Sequence, residues 1–235
     1  HQYIKQALDN GASAILISEE QYCSADYPWI LVEDSRLALA EISNAFYGHP
    51  SEKLKLIGVT GTNGKTTTTN LICNIIEAQG YKTGLIGTIH NRIGDKILEG
   101  SRTTPESLEL QQMFAQMVEE GIGYAVMEVS SHALELHRVT CCDFDIAVFT
   151  NLTQDHLDYH VTMENYCQAK TILFKMLGSK GEVASLQKTA VINIDDPWAN
   201  HFMVASNAPV VTYSMHKDAS WKAEDVQVGA KGVQY

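Results

Sequence analysis

The sequence predicts an α/β fold: a mostly parallel sheet carrying a phosphate loop, preceded by a partial, small α/β unit. Three observations carry that expectation. Apolar runs of strand length alternate with amphipathic stretches of helix length from Leu54 onward, the pattern of a parallel sheet covered on both faces. The glycine-rich segment Gly61-Thr62-Asn63-Gly64-Lys65-Thr66 falls between the first such run and the first such stretch. The break Gly48-His49-Pro50 separates this pattern from a shorter one before it.

Taken in order, Tyr3, Ile4, Ala7 and Leu8 recur at helical spacing, and Gly11 stops that helix. Ala14-Ile15-Leu16-Ile17 and Trp29-Ile30-Leu31-Val32 read as short strands. Asp34 or Ser35 caps a helix that runs to about Tyr47. Residues 1–50 then form a first unit and residues 51–235 a second. The second opens with a strand over Leu54–Thr60, the loop, and a helix from Thr66 to Gln79 ended by Gly80. Strands follow at Thr83–Ile86, Tyr124–Val129, Ile146–Thr150, Ala190–Ile194 and Val210–Tyr213. Helices fill the intervals, notably Pro105–Glu120 and Met163–Leu177.

With 235 residues, 45% of them hydrophobic, the chain is ample to bury a core. Its net charge of -11 repels nucleic acid and anionic membrane, so neither is an expected partner. An anionic ligand must be caught by local positive features. The five cysteines form no C-x-x-C pair and read as reduced thiols rather than a disulfide framework or zinc ribbon. No apolar run approaches the roughly 20 residues that span a bilayer, and no signal peptide is visible. The chain begins at His1-Gln2 without Met and stops at Val233-Gln234-Tyr235, inside an expected strand, so a piece of a longer protein is expected.

A phosphate needs several N–H donors in one concave turn, and glycine lets backbone approach it. The helix that follows turns its partly positive N-terminus to the same place. Lys65 adds a mobile cation for the outer phosphates, and Thr66 offers a hydroxyl to Mg2+. The loop is short: Val59 stands where the common P-loop has its first glycine, leaving G-x-x-G-K-T. The D-x-x-G and N-K-x-D motifs of GTPases do not occur, which leaves adenine as the expected base.

Four segments lie in collinear order: Gly58-Val59-Thr60-Gly61-Thr62-Asn63-Gly64-Lys65-Thr66-Thr67-Thr68, Thr103-Thr104-Pro105-Glu106, Met127 to Leu134, and Thr150 to His160. Together they resemble the Mur ligase family, in its MurE-type branch, over nearly the whole chain. The resemblance implies an ATP- and Mg2+-dependent amide ligase of peptidoglycan synthesis. ATP would phosphorylate the D-Glu carboxylate of UDP-MurNAc-L-Ala-D-Glu, and the amine of a diamino acid or a related amino acid would attack the acyl phosphate. It also implies a monomer in the bacterial cytoplasm, a first domain that binds the UDP end, and a third, amino-acid-binding domain absent here. Residues 1–235 alone are therefore expected not to ligate. Two other readings remain: a folylpolyglutamate synthetase-like ligase, and a non-catalytic nucleotide-binding protein that keeps the fold.

The resemblance also implies roles. Gly61, Thr62, Asn63, Gly64, Lys65, Thr66 and Thr67 would hold the nucleotide, with Lys65 catalytic. Thr66, Glu128 and His156 would be metal contacts, Glu128 standing at the carboxyl end of a strand where open sheets bind ligands; alternatively Glu128 caps the next helix. His156 and His160 are four apart, as in zinc proteases, but Leu157 replaces the glutamate such a site needs. Ser130-Ser131-His132 lacks a nucleophile elbow, and Ser130 would bind the muramoyl substrate instead, with His132 helping to position it. Thr103 and Thr104 would be substrate contacts, or only a helix cap. Arg138 can fork onto carboxylate or phosphate. Arg102 and Leu136 depart from the family pattern, which has Asn and Gln there. Lys170 would be carbamylated, turning a cation into an oxygen ligand for Mg2+; otherwise it is a solvated surface charge.

Overall fold

The computed structural model describes residues 1–100, 102–178, 188–229 and 232–234. In chain order, α1 covers Ile4–Asp9, β1 Ile15–Ile17, β2 Trp29–Leu31 and α2 Ser35–Phe46. Then come β3 over Lys55–Thr60, α3 over Lys65–Ala78, β4 over Thr83–Ile86, β5 over Asn91–Ile93 and β6 over Lys96–Leu98. They are followed by α4 over Ser107–Glu119, β7 over Tyr124–Glu128, α5 over Ser131–Glu135, β8 over Phe144–Phe149 and α6 over Leu157–His160. The remainder is α7 over Met163–Met176, β9 over Thr189–Asn193, α8 over Ala199–Ala205, β10 over Val210–Ser214, β11 over Trp221–Lys222, β12 over Gln227–Gly229 and β13 over Gly232–Gln234. The expected strand at the chain's end is thus present up to Gln234, and Tyr235 lies outside the described residues.

One mixed sheet organises the molecule, in the order β11-β10-β9-β8-β3-β7-β4-β5-β6. Every pairing from β11 to β4 is parallel, and the β4–β5 and β5–β6 pairings are antiparallel. The chain passes from β3 to β4, returns to β7 beside β3, then crosses to β8 on the other side. The strand order therefore reverses around β3. The crevice that such a reversal opens at the carboxyl ends of the strands is where open α/β sheets bind ligands.

Burial on both faces explains the continuous apolar runs. β3 is buried at five of its six residues and β7 at four of its five. One face packs Leu56, Phe114, Met127, Phe144, Phe149, Tyr166, Phe174 and Phe202 against α4, α7 and α8. The other packs Ile57, Val59, Leu85, Val126 and Val148 against Cys73, Ile72 and Ile76 of α3. At α2, Asp34 accepts from the amides of Arg36 and Leu37, the expected cap. β1 and β2 pair in parallel as a separate sheet.

Candidate active site

The carboxyl ends of β3, β4, β7 and β8 deliver the candidate residues to one edge. A cavity of about 570 Å3 at the opposite edge, lined by Lys53, Lys55, Lys82 and Tyr124, receives none of them.

Gly61 leaves β3 with φ 146°, and a side chain there would run into the Thr150 hydroxyl. The loop can therefore lie directly on the segment after β8. Thr62 N–H donates to the Asn151 carbonyl (2.8 Å), Asn63 N–H to Asn151 Oδ1 (3.0 Å), and Thr150 Oγ1 to the Asn63 carbonyl (2.7 Å). Thr62 Oγ1 also meets the Thr153 carbonyl and Tyr166 Oη. Thr62 and Asn63, expected as nucleotide contacts, thus spend their amides on shaping the loop. The amides of Lys65, Thr66 and Thr67 open α3 and have no carbonyl one turn back inside the helix. Amides at such a helix start are the ones that can donate to a phosphate.

Lys65 Nζ curls back onto the carbonyls of Gly61 and Thr62, both at 2.8 Å. Burial pushes its pKa below the usual lysine value, against the upward pull of Glu128 and Asp155. Lys170 arrives from α7 and is not a solvated charge: it is 1% exposed. Its Nζ donates to the same Gly61 carbonyl (3.1 Å) and lies 4.6 Å from the centre of the Tyr166 ring. Burial first, and Lys65 second, push it down to about 7. Two ammoniums thus converge on one carbonyl at the mouth of the phosphate loop.

Glu128 ends β7 and is 1% exposed. It does not cap the next helix; Ser130 does, accepting from the Ala133 amide. The Glu128 carboxylate instead accepts from Thr66 Oγ1 (2.9 Å), Thr88 N–H (3.0 Å) and Thr88 Oγ1 (3.0 Å). A Cβ on Gly87 would come within 2.5 Å of Glu128 Oε1, so a glycine is needed beside it. Thr66, Thr88 and Glu128 make a compact set of hard oxygen donors, which fits Mg2+. No group of three or more His, Cys, Asp and Glu side chains able to hold a metal occurs among the described residues. Phosphate and water oxygens would have to complete the shell, as suits Mg2+, which keeps several waters.

His156 makes no hydrogen bond to that set. It is half exposed, 5.0 Å edge-on from the His132 ring and 6.1 Å from Tyr166. His160 is buried: its Nε2 pairs with Ser131 Oγ at 2.8 Å, and its Nδ1 lies 3.5 Å from Glu135. Ser131, His160 and Glu135 follow the order of a hydrolytic triad, but Ser131 is fully buried and no substrate can reach it. The group ties α5 to α6. His132 has its pKa lowered by burial, then by His156 and Arg138.

Thr103 and Thr104 do not cap α4, which begins at Ser107. Thr104 is buried and its hydroxyl donates to the Glu128 carbonyl (2.9 Å) and accepts from Ser130 N–H (3.2 Å). Thr103 Oγ1 lies 3.0 Å from Thr88 Oγ1, whose one proton is on Glu128, so Thr103 is the donor of this pair. Arg138 reaches the Thr104 carbonyl through Nη1 (3.2 Å), with Nε 3.2 Å from Glu106 but not aligned for a hydrogen bond. Thr104 thus contacts Glu128 directly, Ser130 and Arg138 contact Thr104, and Thr103 meets Thr88. Sequence reasoning missed Thr88, Thr150, Asn151 and Tyr166. The signal for Thr88 was its position just beyond a parallel strand's carboxyl end; Tyr166 lies inside an amphipathic helix and gave none.

The chain matches the model of the Mur ligase middle domain over residues 59–235. It is 50% identical to the UDP-N-acetylmuramoyl-L-alanyl-D-glutamate--2,6-diaminopimelate ligase of Geobacillus kaustophilus, over 100% of this chain and 47% of that protein. A solved ligase of the same name superimposes with a TM-score of 0.82 at 32% identity, over 99% of this chain and 46% of that one. The Mycobacterium tuberculosis folylpolyglutamate synthase complexed with ADP gives 0.67 at 17% identity, over 85% of this chain and 50% of that one, a likeness of fold alone. The chain spans about half the length of the curated relatives it matches.

Proposed function

The chain belongs to the Mur ligase family, and we propose that it carries the ATP site of a ligase that joins an amino acid to UDP-MurNAc-L-Ala-D-Glu through an acyl phosphate. The observation that carries this reading is the convergence of Lys65 and Lys170 on the Gly61 carbonyl beside the Thr66–Glu128 oxygen set. A γ-phosphate and a carboxylate repel each other, and the barrier to joining them falls only where fixed positive charge meets both. Lys65 would leave the loop carbonyls for the γ-phosphate. Mg2+, when bound, would supply further charge neutralisation between the phosphates, held by Thr66 and Glu128. The amides of Lys65, Thr66 and Thr67 would orient the triphosphate, while Thr103, Thr104, Ser130 and Arg138 would orient the muramoyl peptide. The carboxylate oxygen attacks the γ-phosphorus and ADP leaves; the amine then attacks the carbonyl carbon and phosphate leaves with that oxygen.

Lys170 would act as a carbamate. With its pKa near 7, much of it is a neutral amine at neutral pH, and an amine adds CO2 with loss of one proton. The product is an anion with two oxygens among cations. A carbamate carbon signal after incubation with 13C-bicarbonate, absent in Lys170→Met, is expected; the same signal in both would remove the assignment. His156 is kept as a contact for a second metal ion. Residues 1–50 are kept as the unit on the UDP side.

The curated relatives carry 2,6-diaminopimelate in their names, so that amino acid is the first acceptor to test. The full-length protein should form ADP only when UDP-MurNAc-L-Ala-D-Glu and a diamino acid are both present. ADP formation stimulated by a folate and glutamate instead would favour the folylpolyglutamate reading, and nucleotide binding without turnover on any acceptor would favour the non-catalytic one.

A further inference from the structure

We propose that the cavity at the amino edge of the sheet is a second ligand site, suited to a small organic phosphate that carries a planar ring. The cavity encloses about 570 Å3, a volume within the range of small-molecule sites. It lies where β3 and β7 begin: Lys55 opens the one and Tyr124 the other, and both line it. The six residues of β3 separate it from the phosphate loop, about 20 Å of extended chain. A ligand held here is therefore remote from the loop and from Glu128.

Cations gather at this cavity in a chain whose net charge is -11. Lys53, Lys55 and Lys82 line it, against Glu52 as the one acidic lining residue. Lys55 has Asp145 at 3.9 Å, and Glu52 lies 3.8 Å from His49. Neither Lys53 nor Lys82 forms an ion pair among the described residues. The C-terminal ends of α3 and α4 reach the cavity at Gly80 and Gly121, and each brings about half a negative charge. Together they offset about one of the two free ammoniums and leave the other for an anion. Lysine is a compact cation with three donors, and it suits a phosphate as a point charge.

The rest of the wall is aromatic and bare. The rings of Tyr81 and Tyr124 stand 5.1 Å apart, inclined at 58°, and Tyr81 is 55% exposed. A half-exposed ring braced by a second one offers a face on which a planar group can stack. Gly123 is the independent sign. Gly80 and Gly121, with φ of 86° and 70°, serve the left-handed turns that end helices. Gly123 has no positive φ, and a Cβ there would meet no atom within 4 Å. Neither backbone conformation nor crowding inside the fold calls for glycine at that position. Keeping the wall bare beside Tyr124 does, since a side chain there would take up space that a ligand needs.

The test is calorimetric titration of phenyl phosphate into the full-length protein, with Mg·ADP and UDP-MurNAc-L-Ala-D-Glu both saturating so that the sites at the carboxyl edge are filled. Binding is expected, and the double variant Lys53→Met/Lys82→Met should weaken it by about 10-fold or more. Gly123→Leu should weaken it as much, by occupying the cavity without changing its charge. All three positions are exposed, and a Tm equal to that of the unaltered protein would show that lost binding is not lost folding. Inorganic phosphate, which has no ring, should bind several-fold more weakly than phenyl phosphate. No binding at about 10 mM phenyl phosphate, or an affinity indifferent to the lysine pair and to Gly123, would overturn the proposal. Equal affinity for phenyl and inorganic phosphate would overturn the assignment of a ring-bearing ligand. Because the variants lie in the cavity wall, the outcome holds whether or not the protein ligates.

Discussion

At the scale of single residues, Lys170 is the most exposed to test. It makes no ion pair among the described residues, and its burial holds the folded pKa near 7, below the unfolded 10.5. Between those values the unfolded chain binds the extra proton, so stability rises with pH across that window. Below about 7 both states hold the proton and the burial cost is present in full. Lys170→Met should therefore stabilise the protein, in CO2-free buffer, by on the order of 2 kcal/mol at pH 6. The gain should shrink as pH climbs toward the unfolded value. Denaturant melts at both ends of the window check this, and an equal loss of stability at both would contradict it. Nothing in the sequence separated this lysine from the surface lysines of other amphipathic helices; only the resemblance did. The oxygen set at Glu128 was half legible: Thr66 and Glu128 stand in recognisable segments, whereas Thr88 follows a short strand with no motif of its own.

At the scale of elements, the parallel strands other than the two-residue β11 and the long helices lie within two residues of where apolar runs, caps and glycine stops put them. Two faces of burial make each strand a continuous apolar run, and that signal survives without context. The β5–β6 hairpin was not read. Its strands are three residues each, too short for alternation to show, and the Gly94-Asp95 pair between them was its only mark. The short helices α5, α6 and α8 were missed for the same reason, since one or two turns carry no period. Between α6 and α7 lies a feature no pattern reveals. Val161 has φ 69° and ψ -47°, and Thr162 N–H bonds the His160 carbonyl at 2.8 Å, a γ-turn centred on a β-branched residue. That backbone costs about 1–3 kcal/mol. It carries the chain from His160 into the helix that presents Tyr166 and Lys170. Val161→Gly should relieve it and raise stability by about 1 kcal/mol after the entropic cost of glycine. A denaturant melt showing a loss instead would mean that the exposed valine side chain contributes more than the turn costs.

At the scale of the molecule, the reversal of strand order around β3 gathers the loop, Glu128, Thr150 and the α7 lysine at one crevice. Nucleotide binding should therefore stabilise the whole chain rather than a loop alone. Mg·ADP at 100 times its Kd should add about 2.7 kcal/mol, a rise in Tm of roughly 5–10 °C for a chain of this size. Lys65→Ala should lose most of that shift, and in the full-length protein should lower kcat by about 10²–10³-fold; a full shift in the variant would place the phosphates elsewhere. The central claim is that the loop hands the γ-phosphate to a carboxylate. Ligation by the full-length protein of UDP-MurNAc-L-Ala-D-Glu labelled with 18O in its D-Glu carboxylate reads that step directly. The account predicts one 18O in the inorganic phosphate released for each amide formed. Phosphate free of label, with amide still produced, would contradict it.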